Sequence, residues 1–465
     1  MAQAERREST DLIVVGASVG GLLAAILAAD RGCHVVVLER TRELGGGAAT
    51  GTGLLAAAGT RWQRDTGIDD APEKLLADLR AVTQHHVEPE VAQAVVEQGA
   101  WIVEWLADRC GAAIDLTRQP TNVHSVHRLH ACGQQGGTSL VTALTRVASR
   151  HNRIRMRPGS EVQSLLRDSA GAVTGVALRP ERRGTAAIAG RVLLACGGFG
   201  GDDALIGEHC PDAASLPHPA PALADGTGLR LGLSVGAGTH ELDAIEVTPF
   251  LAQPSLLPVP DTLIELGAIM VNQSGRRFVG EDGDALPLAR EVRAQPGHIA
   301  YLVFDDRIVR QASVDPFFEH VVLPRAGRRG STLKYLARQL DLDAEGLTMT
   351  VENFNANLEL GGDPFGRQRC GNPLEPTFHA IRVTGARLRT LGGLTTNADA
   401  RVLDPSGTPI PRLYAVGGTA ACFFARDATS AIEGLDLLTT LAMARRAAQC
   451  VVRATQDPGE ETSAT

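Results

Sequence analysis

The amino-acid sequence predicts a mixed α/β fold in which a second domain is inserted into the first. Three observations lead to this prediction. Apolar strand-like runs and helical stretches alternate between residue 11 and about residue 200, which is typical of a parallel sheet covered by helices. The pattern of predicted strands and helices changes between about residues 243 and 388, and strands and a long helix follow. A chain of 465 residues also exceeds one ordinary hydrophobic core.

The first element is a strand, a tight turn and a helix, followed by a second strand. DLIVV is a buried strand, the next stretch is rich in Ala and Leu, and HVVVLE ends in Glu39. Gly16, Ser18 and Gly21 stand where the pattern G-x-G-x-x-G has its glycines, and the acid follows about 20 residues later. The alternative, a chance glycine pattern in an ordinary βαβ unit, is weaker because a second glycine cluster follows. We therefore predict a Rossmann-like dinucleotide-binding unit.

Each residue of this motif has a physical role. Gly16 permits the turn, and Gly21 lets the helix pack close to the sheet. Amides at the start of the helix face a pyrophosphate, and the helix dipole favours its negative charge. Glu39 can accept hydrogen bonds from ribose hydroxyls, and its charge repels a 2′-phosphate. Ser18 replaces the middle glycine, and its hydroxyl can donate to a phosphate.

The following elements are predicted in chain order. Residues 72–110 are expected to be helical, with Trp101 and Trp105 in a core, and residues 138–151 form an amphipathic helix. SEVQSLLRD and GAVTGVALRP are short strands around a turn. GRVLLACGGFGG is a buried strand that ends in glycines, where a backbone approaches a ligand closely.

The change in the pattern of predicted strands and helices gives the domain boundaries. We predict the first part of the nucleotide-binding domain at residues 1–242, an α+β domain at 243–388, and the second part of the nucleotide-binding domain at 389–465, which includes the last helix and a disordered tail. A hairpin is expected around residues 272–275. The apolar, proline-rich segment 244–264 either lines a hydrophobic ligand pocket or packs the core of the inserted domain.

Bulk properties exclude several classes of protein. A net charge of −8 argues against a nucleic-acid surface, and no apolar run approaches a membrane span. The N-terminal residues are polar and are not a secretory signal. The eight cysteines form no C-x-x-C pair, so we expect free thiols, no metal site and a cytoplasmic location.

Taken together, the motifs resemble those of FAD-dependent oxidoreductases of the fumarate reductase and 3-ketosteroid dehydrogenase family. The resemblance rests on VVGASVGG with Glu39, on GGGAATGTG, on LLACGGFGG, and on ADGTG, GAIMVNQSGRRFVGE, GGLTTNADARVL and RLYAVGG. It implies an FAD-binding domain with an inserted capping domain that binds substrate. The family's covalent flavin histidine has no counterpart between Arg40 and Thr60, so we expect non-covalent FAD.

The resemblance also implies which residues bind FAD. The second glycine cluster would wrap the pyrophosphate, Val162 would meet the adenine, and the start of the last helix would point amides at the flavin. The implied residues are Gly16, Ala17, Ser18, Val19, Gly20, Gly21, Glu39, Arg40, Gly45, Gly46, Gly47, Ala48, Ala49, Thr50, Gly51, Thr52, Gly53, Val162, Ala195, Cys196, Gly197, Gly198, Asp225, Gly417, Gly418, Ser430, Ala431, Ile432 and Leu435.

On the substrate side the match fails. The proton-donating arginine of fumarate reductases falls on Ala285, and a substrate-binding histidine falls on Thr248. The paired histidines before M-G-G fall near Leu388 and Arg389, and a further arginine falls near Thr429. Recognition of a dicarboxylate needs several fixed cations. The tyrosines that ketosteroid dehydrogenases use are also not carried over.

Four residues remain as catalytic candidates. Arg426 is the first choice as electrophile or anion anchor, and a salt bridge with Asp427 is the alternative. Ser430 can donate to substrate or flavin. His127 can serve as acid or base, although histidines on an irregular loop are more often structural. Thr248 is included because of its position in the family pattern.

We therefore expect an FAD-dependent enzyme that desaturates or reduces a C–C bond next to a carbonyl, in a fairly apolar substrate such as a ketosteroid or a cyclic enone, by hydride transfer at flavin N5. One alternative is a dehydrogenase or reductase of small carboxylates, with Arg290 and Arg426 as anchors. Another is a flavoprotein with non-redox chemistry. The partners expected are a small-molecule substrate and an external electron donor or acceptor, since the sequence lacks the haem motif C-x-x-C-H.

Overall fold

The structure is a computed structural model, and it describes residues 8–83, 88–117, 123–179, 187–421 and 432–457. The strands in these ranges are β1 (Glu8–Val15), β2 (Val35–Glu39), β3 (Leu54–Ala56), β4 (Ile114–Leu116), β5 (Leu129–Cys132), β6 (Ile154–Pro158), β7 (Val162–Arg167), β8 (Val173–Leu178), β9 (Ala187–Leu194), β10 (Thr239–His240), β11 (Ile245–Ala252), β12 (Ile269–Val271), β13 (Ala300–Asp305), β14 (Gly327–Gly330), β15 (Phe378–Thr390), β16 (Gly393–Leu394), β17 (Arg401–Leu403) and β18 (Pro409–Ala415). The α-helices are α1 (Val19–Asp30), α2 (Arg61–Asp65), α3 (Pro72–Val82), α4 (Pro89–Val96), α5 (Gly99–Cys110), α6 (Gly137–Arg150), α7 (Asp203–His209), α8 (Thr227–Leu233), α9 (Thr262–Glu265), α10 (Ala285–Ala294), α11 (Asp306–Ala312), α12 (Leu323–Ala326), α13 (Leu333–Leu340), α14 (Ala344–Leu360) and α15 (Leu435–Gln456). None of these helices is long and apolar enough to cross a membrane.

The main sheet has the order β17-β18-β9-β1-β2-β6, and β7 and β8 extend it from β9. The contacts β18–β9, β9–β1, β1–β2 and β2–β6 are parallel. Successive residues of β1 point to opposite faces: Val14 lies in the core beneath α1, α6 and α15, and Ile13 lies in the core on the other face. Both faces of the central strands are buried, which explains why their sequences are continuous apolar runs. This is the predicted Rossmann-like sheet.

The inserted domain is built on a second, antiparallel sheet. Its order is β11-β15-β13-β12, and β14 also pairs with β15. The helices of the domain cover a core of its own, which extends from Phe250 to Val383. The fold therefore combines the expected parallel sheet with an α+β cap. Domain boundaries at residues 243 and 388 stay a proposal.

Two strands connect the cap to the main domain, and they lie side by side. The chain leaves the main domain through β11 and returns through β15, and Ile245 is the register partner of Thr390. We call β11 and β15 the hinge strands. The apolar segment after β11 packs into the core of the cap, where Leu257, Val259 and Leu263 are buried. This placement favours the structural interpretation of segment 244–264 over a ligand-lining role.

The structure differs from the predicted elements at two places. The helix expected to run through residues 91–110 is divided into α4 and α5 near Gly99, where an added Cβ would lie 3.2 Å from Cα of Ala57. The turn at residues 272–275 forms, but no return strand follows it among the described residues. In place of a strand partner, the Glu281 carboxylate accepts a hydrogen bond from the Met270 amide at 2.9 Å.

Asp315 in the cap provides a stability prediction. It is 3% exposed, and its carboxylate accepts a hydrogen bond from Phe317 N at 2.9 Å. Burial raises the pKa of Asp315 from 3.8 to about 6. Because the folded-state pKa is raised, the stability linked to this group is complete below about pH 3.8 and is lost as the pH rises through about 6.

We expect Asp315→Asn to be more stable than the unmodified protein at pH 8, by at most about 3 kcal/mol, and the difference to vanish near pH 4. Denaturant unfolding at both pH values measures this. Asp202→Asn is a control of opposite sign. Burial alone would raise the pKa of Asp202, but hydrogen bonds from Leu205 N and Arg230 outweigh it and lower that pKa. The substitution is therefore expected to destabilise the protein at pH 8. An Asp315→Asn variant whose stability relative to the unmodified protein does not depend on pH would contradict the assignment.

Candidate functional site

A pocket opens at the carboxyl ends of β1, β2 and β9, where open parallel sheets bind their ligands. It brings together the predicted first turn, the acid after β2 and the glycines after β9. Its lining residues are Val15, Gly16, Ser18, Leu38, Glu39, Arg40, Gly46, Gly47, Ser160, Glu161, Val162, Ala195, Cys196, Gly197, Leu223, Asp225 and Thr227.

The first glycine turn is closed by backbone contacts that leave no space for side chains. A Cβ on Gly16, which has a φ of 100°, would lie 2.5 Å from the Ala195 carbonyl oxygen, and one on Gly21 would lie 2.3 Å from the Gly16 oxygen. Ser18 caps α1, and its Oγ accepts a hydrogen bond from Gly21 N at 3.3 Å. Its own hydroxyl hydrogen remains available for donation toward the pocket. Ala17, Val19 and Gly20 are buried around this turn.

Glu39 is fixed in position by this turn. One carboxylate oxygen accepts a hydrogen bond from Ala17 N at 3.0 Å, and the other accepts from Thr41 N and Thr41 Oγ1, both at 2.9 Å. The oxygen that accepts from Ala17 N has a second lone pair, so the side chain can still accept from a ligand hydroxyl.

The second glycine cluster lies against the first and against the start of α6. Gly45 N donates to Ala17 O at 2.8 Å, and Gly46–Thr50 form a 3₁₀ turn. Thr138 Oγ1 donates to Ala49 O at 2.7 Å. The rest of the cluster also packs tightly against the start of α6. Gly137 N donates to the Gly51 oxygen, and a Cβ on Gly137 would overlap the Ala48 oxygen. A Cβ on Gly136 would overlap the Thr52 oxygen, and one on Gly53 would overlap the Gly136 backbone.

The third cluster follows β9. Thr419 Oγ1 donates to the Gly197 oxygen at 2.9 Å, and a Cβ on Gly418 would lie 2.8 Å from Gly198 N. Gly417 has a φ of 63° and adjoins α15. On the rim of the pocket, Arg40 forms an ion pair with Asp225.

The start of α15 meets the same region from the other side. Gly434 has a φ of 78°, and its carbonyl oxygen accepts from Ala56 N at 3.0 Å. Ile432 is buried and Leu435 begins the helix. Ser430 and Ala431 lie outside the described residues, as does the candidate Arg426. The other residues predicted to bind the cofactor converge on the three clusters, the pocket and the start of α15.

Two of the catalytic candidates are described. Thr248 is 6% exposed on β11, and its Oγ1 accepts from Phe250 N at 3.0 Å. His127 is exposed in the loop before β5, and it is not among the residues that line the pocket. The neighbouring His130 is buried, its Nε2 lies 2.8 Å from Thr60 Oγ1, and burial lowers its pKa to about 4. His130 is therefore a structural histidine that stays neutral near pH 7.

Arg290, a candidate substrate anchor, is paired with a carboxylate in the structure. Its guanidinium donates to the Asp212 backbone oxygen and side chain, at 2.7 Å for the carboxylate. This contact connects α10 of the cap to the segment that follows α7 in the main domain. The role of Arg290 as a substrate anchor stays a prediction, and it would require this ion pair to open.

Sequence reasoning missed the charged groups on the hinge strands. Arg389 on β15 donates from Nε to Oε2 of Glu246 on β11 at 2.5 Å, and it also forms an ion pair with Asp436 in the first turn of α15. Asp261 keeps contact with solvent, but surrounding protein and the charges of Glu246 and Glu265 raise its pKa to about 6. The position of Arg389 was visible in the sequence, but its carboxylate partners were not.

The fold and the pocket define a class of protein. A parallel sheet whose strand ends gather three glycine-rich turns and an acid is a dinucleotide-binding domain, and an inserted α+β domain caps it. Residues 11–426 match the model of the FAD binding domain family, and the chain belongs to this family.

Relatives and solved structures agree on the class of enzyme. The chain is 30% identical over 417 residues to an NADH:fumarate oxidoreductase of Klebsiella pneumoniae, which covers 88% of this chain but only 44% of that protein. It is 28% identical over 530 residues to a 4-oxocyclohexanecarboxylate 2-dehydrogenase of Sinomonas cyclohexanicum, covering 94% of this chain and 92% of that protein. The chain belongs among FAD-dependent oxidoreductases that act on CH–CH groups.

Two solved structures share the architecture. The open conformation of a flavocytochrome c3 fumarate reductase has a TM-score of 0.84 and 25% identity, covering 97% of this chain and 79% of that chain. A 3-ketosteroid-Δ4-(5α)-dehydrogenase from Rhodococcus jostii RHA1, in complex with 4-androstene-3,17-dione, has a TM-score of 0.68 and 26% identity, covering 96% and 97%.

The described residues fit an FAD. A pyrophosphate needs backbone amides at a surface free of side chains. A Cβ on Gly47 would meet no atom within 4 Å, and one on Gly46 would lie 3.6 Å from Ser18 Cβ, so this turn is open where it borders the pocket. Glu39 fits the ribose because the oxygen bonded to Ala17 N can accept one further hydrogen bond.

Proposed function

We propose that the protein desaturates or reduces a C–C bond next to a carbonyl in a fairly apolar cyclic ketone or enone, such as a ketosteroid. One observation carries this proposal. Of the two arginines expected as carboxylate anchors, Arg426 lies outside the described residues, and Arg290 is already paired with Asp212. Arg389, at the end of β15 beside the cap, is likewise paired, with Glu246 and Asp436. Recognition of a dicarboxylate needs cations that can turn their donors toward the ligand.

We propose that the three glycine clusters hold the FAD without a covalent bond. Gly16, Ser18 and the turn at residues 45–53 would receive the pyrophosphate, and Glu39 the ribose. Val162, which lines the pocket, would meet the adenine through its backbone. Ala195–Gly198, Gly417, Gly418 and the start of α15 would complete the site. The rim pair of Arg40 and Asp225 would close the adenosine end.

Bound FAD supplies a hydride acceptor or donor at N5. The chain must then exchange the proton on the neighbouring carbon and polarise the carbonyl. Thr248 Oγ1 already accepts from Phe250 N, so its hydroxyl is free to donate to an oxygen. Arg426 and Ser430 remain proposed donors, and electrons would enter or leave through an external partner.

The names of the relatives support both this function and a competing one. The dehydrogenase relative that matches this chain over nearly its full length is named for a cyclic ketone that also carries a carboxylate, and the ketosteroid dehydrogenase structure contains a steroid dione. Several other relatives are named as fumarate reductases, which favours a small carboxylate as the second candidate substrate.

An anaerobic screen on the purified yellow protein tests the proposal. Cyclohexanone-type ketones or saturated ketosteroids are expected to bleach the flavin, or the corresponding enones to reoxidise photoreduced enzyme. Fumarate and tricarballylate are expected to be poor partners. Acid precipitation should release all of the FAD into the supernatant. Reoxidation by fumarate that is faster than by every enone would overturn the proposal in favour of a carboxylate reductase.

A further inference from the structure

The hinge strands and the first turn of α15 carry a cluster of three charged side chains that the proposed chemistry does not use. Glu246 and Arg389 are register partners on β11 and β15, and Asp436 reaches the same guanidinium from the first turn of α15. We call these residues the hinge triad. Their side chains are 19%, 33% and 44% exposed, in the order Glu246, Arg389 and Asp436, so a ligand can reach them.

The hinge triad lies where the cap meets the cofactor-binding half. Next to Arg389, Thr390 Oγ1 accepts a hydrogen bond from Phe199 N at 3.2 Å, directly after the third glycine cluster. Cα of Arg389 would lie 3.8 Å from a Cβ on Gly200. Asp436 is two residues after Gly434, which contacts β3 beyond the second glycine cluster. A ligand between the cap and these glycine turns would therefore adjoin the triad.

The charge balance of the triad is negative. It contains two carboxylates and one guanidinium, and the field of Glu246 contributes to the raised pKa of Asp261 nearby. A ligand carboxylate placed next to one uncompensated negative charge is repelled by it, and the repulsion is stronger where protein partly excludes water.

We infer that Glu246 and Asp436 are specificity-determining residues, which occupy Arg389 and exclude carboxylate ligands from this end of the substrate site. The site accordingly accepts uncharged carbonyl compounds and rejects dicarboxylates. This inference rests on the proposed function for the location of the substrate. It goes further because it assigns the rejection of anions to two named side chains, as built-in repulsion rather than as missing contacts.

A binding titration tests the inference without requiring turnover. FAD-loaded protein is titrated with fumarate and separately with cyclohexanone, and the perturbation of the flavin absorption spectrum gives the Kd. The variants are Glu246→Gln, Asp436→Asn and the double variant, which keep the shape of each side chain. We expect fumarate to bind the double variant at least about tenfold more tightly than the unmodified protein, with smaller gains in the single variants. The Kd for cyclohexanone is expected to change little.

Two controls separate this effect from others. Asp399→Asn removes a carboxylate from Arg446 on the same helix α15, at 2.6 Å in the structure, and is expected to give no gain in fumarate binding. Adding Arg389→Gln to the double variant is expected to leave a smaller gain, because the repulsion is still removed but the freed guanidinium is lost. Equal fumarate affinity in the unmodified protein and the double variant, or an equal gain in Asp399→Asn, would overturn the inference. Failure of the proposed function would instead appear as the absence of any flavin bleaching or reoxidation by ketones and enones, with the titrations still readable.

Discussion

Ser18→Asp is expected to lower the affinity for FAD by at least about 100-fold while leaving the apoprotein folded. Aspartate caps a helix as well as serine does, so the hydrogen bond to Gly21 N can be kept. The new carboxylate would stand at the helix start where we place the pyrophosphate. Two negative charges about 5 Å apart repel each other by about 3 kcal/mol at an effective dielectric constant of about 20. Fluorescence titration of the apoprotein with FAD measures the Kd.

Ser18→Asn is the matched control for this experiment. Asparagine has nearly the shape of aspartate and is an equally good N-cap, but it carries no charge. We expect its FAD affinity to stay within a few-fold of the unmodified protein, and both variants to show the same circular dichroism spectrum as the apoprotein. If the two variants bind FAD equally well, the pyrophosphate does not lie at the start of α1.

Asp70→Ala is expected to lower the free energy of unfolding by about 3–5 kcal/mol. Arg128 and Asp70 form a bidentate pair at 3.1 and 2.9 Å, and both side chains are fully buried. Arg128 also donates to Asp78 at 2.6 Å. Removal of Asp70 leaves a buried guanidinium with one carboxylate partner fewer. Equilibrium denaturation with FAD in constant excess measures the loss.

The chain contains an exposed pair of the same geometry as a control. Arg61 and Asp108 are also bidentate, at 2.9 and 2.8 Å, but their side chains are 39% and 63% exposed. Asp108→Ala is expected to cost far less than Asp70→Ala, because water and dissolved salt screen the pair. Similar losses in Asp70→Ala and Asp108→Ala would show that burial does not determine the strength of these ion pairs.

The cofactor half was predictable because close backbone contacts leave a mark on the sequence. Gly16 and Gly21 are glycines since any Cβ would overlap a carbonyl oxygen, and this constraint is visible as spacing along the chain. The alternating faces of β1 and β2 likewise follow from local apolar runs. Sequence reasoning therefore identified the sheet, the turns, the acid Glu39 and the FAD-binding family before any geometry was considered.

The substrate half was less predictable because ion pairs join residues far apart in the chain. Arg290 is a plausible anion anchor until its partner Asp212, 78 residues away, is seen. Arg389 meets Glu246 across 143 residues. Neither pairing has a repeating spacing from which it can be predicted. The division of α4 from α5 was missed for a similar reason, since it depends on the approach of Gly99 to Ala57.

The pairing of Ile245 with Thr390 makes the cap an exchangeable module. The inserted segment leaves and re-enters at neighbouring points, so a short turn can join the two ends of the nucleotide-binding domain. Because the ends are already close, shortening or lengthening the insertion changes the loop-closure entropy only slightly. A different cap domain whose two termini lie close together can therefore replace the segment between β11 and β15. Substrate range can then diversify by recombination at one locus while the flavin half is inherited intact.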